Sequence, residues 1–110
     1  MAIALIASTE SGDLYSVEYA AGTSTVDLTP TVAGRKVSIR GGTLLVSAAC
    51  EIQLVEETSG TALSGKFDLP QAAEWSIEFD REYASQTDGK KIQLTRSASA
   101  KITGEVLVSS

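Results

Sequence analysis

From Arg35 onward the chain is a succession of short apolar-polar alternations, each bounded by Gly, Ser, Thr or Asp: RKVSIR, TLLVSA, EIQLVEE, ALSGKFDL, EWSIEF, KKIQLTR and AKITGEVLVS. No helix-length stretch separates them. Successive side chains of an extended strand point to opposite faces, so alternation of this kind describes strands with one face in a core and the other in water. The chain reads as all-β. With the earlier segments, eight or nine short strands follow one another at spacings of about ten residues, the pattern of a sandwich or barrel and not of an α/β domain.

A chain of 110 residues is one domain. It buries roughly two-thirds of the surface its unfolded form exposes, enough to fold without disulfides or metal. Aromatic residues make up 5 % of it, so the core is expected to be Ile, Leu, Val and Ala. The single Cys50 heads the alternation with Ile52 and Leu54 and reads as a small buried hydrophobe; one thiol cannot form an internal disulfide.

The first third is looser. Ile3, Leu5 and Ala7 alternate, Ser8 to Asp13 make a polar turn, and Tyr15, Val17 and Tyr19 alternate again. A short TVDL run is stopped by Thr29-Pro30, and a Pro that cannot donate to a ladder belongs at an edge or turn. Residues 1–33 are thus expected to be an extended N-terminal arm with edge strands, and 34–110 the sandwich core. The opening apolar run lacks a preceding positive charge and ends by Ala7, too short for secretion or for a bilayer, so cytoplasmic synthesis is expected. Gly41-Gly42 implies a bulge, bend or tight turn, and Gly104 a bulge in the last strand. Thr58-Ser59-Gly60-Thr61 and Asp88-Gly89 read as turns, and PQAAE allows at most one helical turn.

Residues that carry chemistry are scarce. Fourteen acidic against nine basic residues give a net charge of −5, which repels a phosphate backbone, so no nucleic-acid partner is expected. The chain has no histidine, so neither a cysteine nor a serine nucleophile has its usual base. Glu56 and Glu57 are neighbours on a strand and point to opposite faces, while Asp80 and Glu82 flank Arg81, which neutralises them. The acidic residues lack the spacing of a calcium loop. No enzyme activity, metal, cofactor or membrane partner is expected. The aromatic side chains remain as partner-contact candidates: Tyr15 and Tyr19 in the N-terminal region, Tyr83 in the polar loop DREYASQTDGKK, and Trp75, which alternates with Ile77 and Phe79 and reads first as a core ring.

Several pieces occur in a recognisable order: Gly34-Arg35-Lys36-Val37-Ser38-Ile39, Ser47-Ala48-Ala49, Ser59 to Leu69 (SGTALSGKFDL), Gly89 to Leu94 (GKKIQL) and Ser97 to Val106 (SASAKITGEV). This stretch, about two-thirds of the chain, resembles small virion structural proteins of tailed bacteriophages, capsid decoration (cement) and head-fibre proteins among them. The resemblance implies an antiparallel jelly-roll-like β-sandwich of about eight strands. It further implies a homotrimer on the outer surface of a phage head, with the major capsid protein as partner and a mechanical role in holding the shell. The matching positions are turn and core residues, so no binding residue is carried over. A glycan- or receptor-binding module of a head or tail fibre, with Trp75 or Tyr83 as a stacking surface, is the alternative.

Overall fold

The computed structural model describes residues 3–10, 12–69, 74–77 and 82–110, with 74–77 described by backbone alone. Within these residues there are ten strands and no helix: β1 (Ile3–Thr9), β2 (Gly12–Tyr19), β3 (Val26–Asp27), β4 (Ser38–Val46), β5 (Cys50–Glu56), β6 (Phe67–Leu69), β7 (Glu74–Ile77), β8 (Tyr83–Ala84), β9 (Ile92–Arg96) and β10 (Ile102–Ser109). Every ladder is antiparallel. The larger sheet runs β1-β2-β10-β4-β7, with β8 pairing β4 further along the same strand, and the smaller runs β3-β9-β5-β6.

Alternation puts one face of each sheet into a shared core, consistent with a β-sandwich. Val17, Ile39, Leu44, Val46, Ile102 and Val106 come from the larger sheet, and Val26, Ile52, Leu54, Ile92 and Leu94 from the smaller. The largest fully buried side chains are all Leu, Ile or Val, as the low aromatic content requires. Phe67 and the tyrosines pack at the margin of this core.

Two expected strands, RKVSIR and TLLVSA, are one. β4 runs through Gly41-Gly42 because its ladder with β10 absorbs an extra residue: Leu107 faces Gly41 and Val108 faces Ile39, leaving Arg40 bulged. The expectation of a bulge at Gly104 is corrected. Pairing continues through it, Leu44 on one side and Val17 on the other. Glycine is needed there for a different reason: φ is +140°, and a Cβ would overlap the Thr43 carbonyl oxygen. Gly42, at φ +142°, faces the same ladder from the other strand, where a Cβ would lie 2.9 Å from Val106 Cα. The two glycines let the central strands approach more closely than side chains permit.

The division expected after residue 33 is corrected in one respect. β1 and β3 lie at sheet edges, but β2 is interior, bonded to β1 on one side and β10 on the other. Val17, Val26 and Leu28 belong to the core, so residues before 34 contribute to the same core as those after it. Thr29 is fully buried, its Oγ1 accepting from Ile92 N at 3.0 Å, while Leu28 N donates to Ile92 O. Pro30 ends this edge, where no further donor is needed.

Of the expected strand ALSGKFDL only Phe67–Leu69 is regular. Ala62 makes an isolated bridge to Val55, and then the Ser64 hydroxyl takes the Leu54 N–H that a backbone carbonyl would otherwise accept. The segment still follows β5, but a side chain interrupts the ladder. The expected helical turn in PQAAE lies mostly outside the described residues, as do Phe79 and the Asp80-Arg81 pair.

Candidate interaction surface

The four aromatic candidates do not converge. Tyr15 and Tyr19 share the inward face of β2 and are half-buried against the core margin. Tyr19 OH donates to Asp27 O at 2.7 Å, tying β2 to β3. Burial, and then the nearby Asp27 carboxylate, push the Tyr19 phenol above its ordinary pKa. Tyr83 is corrected from a polar loop to a strand: β8 pairs with β4, Tyr83 opposite Ile39, and its half-buried ring packs on the core. Trp75 has its backbone opposite Leu44 on β4, and its side chain lies outside the described residues. β10 and β4 therefore separate the Tyr15-Tyr19 pair from Tyr83 and Trp75.

Two charged residues, Glu56 and Arg96, are buried. Glu56 ends β5, and its Oε2 accepts the Gln86 N–H at 2.6 Å and the Thr87 N–H at 2.9 Å, while Ser59 Oγ donates to Oε1 at 3.2 Å. Burial opposes its ionisation, yet these backbone and hydroxyl donors together outweigh burial and hold the carboxyl below its ordinary range. Arg96 ends β9 and is buried too. Its Nε and Nη2 donate to Ser24 O at 3.0 and 2.9 Å, Nη2 also reaches Ser24 Oγ, and Nη1 meets Ala20 O and Ala100 O at 3.1 and 2.6 Å. These bonds engage all three guanidinium nitrogens.

A surface cleft beside Arg96, about 400 Å³, is lined by Tyr19, Ala20, Gly22, Ser24 and Asp27. It carries a cation, but one already engaged by loop carbonyls, so binding an anion would release the loop at residues 20–24. Next to it, Lys91 Nζ lies 3.0 Å from Asp27 Oδ2 and 3.7 Å from Glu57 Oε2, and Gln93 Nε2 donates to Asp27 Oδ1 at 2.9 Å. The hydrogen bond to Asp27 raises the Lys91 pKa against the opposing effect of burial, with the Asp27 and Glu57 charges adding to it. This polar cluster joins β3, β9 and the β5 end. A second cleft of about 400 Å³ lies between Thr9, Glu10, Asp13, Arg40 and Ser109, and is mostly polar.

Among the described residues no group of three or more His, Cys, Asp or Glu is placed to hold a metal ion. Cys50 is buried, and burial raises its thiol pKa, with the Arg96 charge pulling the other way. Among the described residues no helix is long and apolar enough to cross a membrane.

Among the described residues the large exposed apolar side chains are Leu5, 56 % exposed, Ile6, 55 %, and Leu45, 46 %. Two of them are adjacent on β1, whose residues from Ala4 to Thr9 are all exposed. No protein-family model matches this chain, and no curated protein or solved structure matches it significantly.

Proposed function

We propose that this chain is a jelly roll that acts as a non-enzymatic decoration protein on the outer surface of a phage head. The observation that carries the fold half is strand order. Leaving β1 and β8 aside, the sheets are β2-β10-β4-β7 and β3-β9-β5-β6. The chain therefore alternates between sheets, β2 to β3 to β4 to β5, turns within the second sheet to β6, and returns by β7, β9 and β10. Folding one long hairpin of four strand pairs over itself would produce this order, which supports a jelly-roll path of the kind found in capsid and lectin domains.

The functional half rests on the resemblance of the stretch from Gly34 to Ser109 to phage virion proteins, because a jelly roll by itself hosts many functions. The aromatic rings support it indirectly. A glycan platform needs exposed rings, and Tyr83, like Tyr15 and Tyr19, is half-buried at the core margin, while the Trp75 side chain lies outside the described residues. A protein that braces a shell needs instead a stiff body repeated in many copies, where modest contacts multiply through valency. Loops fastened to buried charges at residues 20–24 and 85–87 suit that role.

The test is co-sedimentation of the purified chain with heads of the virus that encodes it. Saturation at a fixed number of copies per shell subunit, with treated heads surviving a higher temperature, is the expected result. Absence of binding to heads, or binding of host polysaccharide instead, would transfer the reading to the fibre module.

A further inference from the structure

We propose that Asp88-Gly89 is a site of spontaneous isoaspartate formation, and that the Glu56 carboxylate governs its rate by holding the loop in which the pair lies. The inference concerns the chemistry of one peptide bond and does not depend on the capsid reading. The chain contains no asparagine, and four of its five aspartates, Asp13, Asp27, Asp68 and Asp80, precede Leu or Arg. Only Asp88 precedes glycine. A side chain on the following residue crowds that residue's nitrogen as it approaches the aspartate carboxyl, and glycine has none.

The fold keeps this pair in place. Gly89 has φ +79°, where residues with a side chain are strained, and nothing lies within 4 Å of the position its Cβ would take. The turn therefore calls for the same glycine that opens Asp88 to attack, and Asp88 is exposed. The reaction needs only the chain and water. Gly89 N bonds to Asp88 Cγ, and the amide proton and the carboxyl hydroxyl leave as one water, closing a five-membered imide. Water then adds to either imide carbonyl. Opening at Cγ restores aspartate, while opening at the main-chain carbonyl leaves the chain running through Cβ and that carbonyl as a free carboxyl. One water leaves and one returns, so the mass is unchanged.

The loop restrains the attacking nitrogen. Gly89 N donates to Arg35 O at 2.8 Å, and Lys90 N to Thr87 O at 3.3 Å. The Gly89 proton is engaged and its nitrogen fixed, so attack waits for the loop to open. The residues just before it are fastened by Glu56, whose Oε2 accepts from Gln86 N at 2.6 Å and Thr87 N at 2.9 Å. Ser85 ties the same segment to Val37: Ser85 N donates to Val37 O, and Val37 N to Ser85 Oγ. Isomerisation adds one main-chain atom between Thr87 and Gly89. Both turn bonds then lose their register, and the product cannot close the loop as before.

The readout is isoaspartate at position 88, found by peptide mapping of the full chain incubated at about pH 6, where Glu56 stays ionised. In unfolding urea, position 88 should convert ahead of the other four aspartates. Folding should slow the conversion about tenfold or more, and by the same factor as it slows Gly89 amide exchange, because one opening exposes the nitrogen to both. In Glu56→Gln both rates should rise together about tenfold, the change that about 1.4 kcal/mol in the opening equilibrium produces. Glu56→Asp, which keeps the charge and shortens its reach, should show the same rise and serves if the Gln variant does not fold. Arg96→Met frees the loop at the opposite end and should leave the rate unchanged. No preference for Asp88 in urea, equal rates folded and unfolded, or a folded Glu56 variant that converts like the parent would each overturn the inference. Equal acceleration in Arg96→Met would tie the reaction to global unfolding and overturn it as well.

Discussion

Replacing Glu56 by Gln should destabilise the fold at neutral pH and leave it nearly unaffected in acid. The carboxylate accepts two backbone N–H bonds, from Gln86 and Thr87, through Oε2. A hydrogen bond to a charged group contributes about 1.5–3 kcal/mol and a neutral one about 0.5–1.5, so neutralising the acceptor forfeits about 2–3 kcal/mol over the pair. Removing a buried charge recovers part of this, since burial is the largest single influence opposing ionisation. Gln86 and Thr87 are themselves exposed, so water can also reach their donors. A net loss of about 1–2 kcal/mol remains, which for a domain of this size lowers Tm by about 5–10 °C.

The pH dependence has a definite sign. The folded pKa of Glu56 lies below its unfolded value of about 4.3, so the folded state holds the proton less tightly. The stabilisation is complete above the unfolded pKa and is lost as pH falls through the folded one. Urea unfolding followed by circular dichroism, on both proteins from pH 7 to pH 3, should show the difference between them shrinking below about pH 4.3. A difference that stays constant over that range, or a Gln variant as stable as the parent at pH 7, would refute the account of Glu56 as a buried, ionised acceptor.

Three further outcomes follow from the same geometry. Gly104→Ala should cost about 3 kcal/mol or more, because it combines a positive φ with overlap of the Thr43 carbonyl. Gly65→Ala, where φ is ordinary and nothing lies within 4 Å, should be close to neutral, and equilibrium unfolding compares the two. Arg96→Met should cost about 2–4 kcal/mol by stranding the carbonyls of Ala20, Ser24 and Ala100, with faster amide exchange concentrated at residues 20–25. Cys50, buried and with a raised pKa, should react with a thiol reagent only as fast as the chain opens, so labelling should accelerate sharply at the urea midpoint.

The strand class was legible because alternation is a local property: Cys50, Ile52 and Leu54, or Ile102, Val106 and Val108, announce a buried face within one segment. The same alternation also carries the signal of the two buried charges. Glu56 continues the inward series Cys50-Ile52-Leu54, and Arg96 continues Ile92-Leu94. A charge at an inward position implies a partner waiting for it. What a sequence cannot give is the partner, since Glu56 meets a segment 30 residues away and Arg96 one 72 residues away, and both offer backbone groups that have no residue signature. The Tyr83 strand is illegible for a related reason: a two-residue strand is made by its neighbour β4, not by its own pattern.

The two buried charges occupy opposite ends of one ladder, for Glu56 pairs with Ile92 and Arg96 with Ile52 across β5 and β9. They do not neutralise each other. Each is satisfied by loop backbone of the matching polarity, N–H groups for the carboxylate and carbonyls for the guanidinium. A direct ion pair would have tied two strands that the ladder already joins. Placed at the ends, the same charges instead fasten loops that regular pairing cannot reach, 20–24 at one end and 85–87 at the other. Because each such bond is made far from water at the strand and near it at the loop, severing it should loosen the loop before it unfolds the sheets. In Arg96→Met and Glu56→Gln, therefore, local exchange should rise at one end each and not at the other. A uniform rise across both ends would mean that the charges support the core as a whole, and that the loops owe their order to something else.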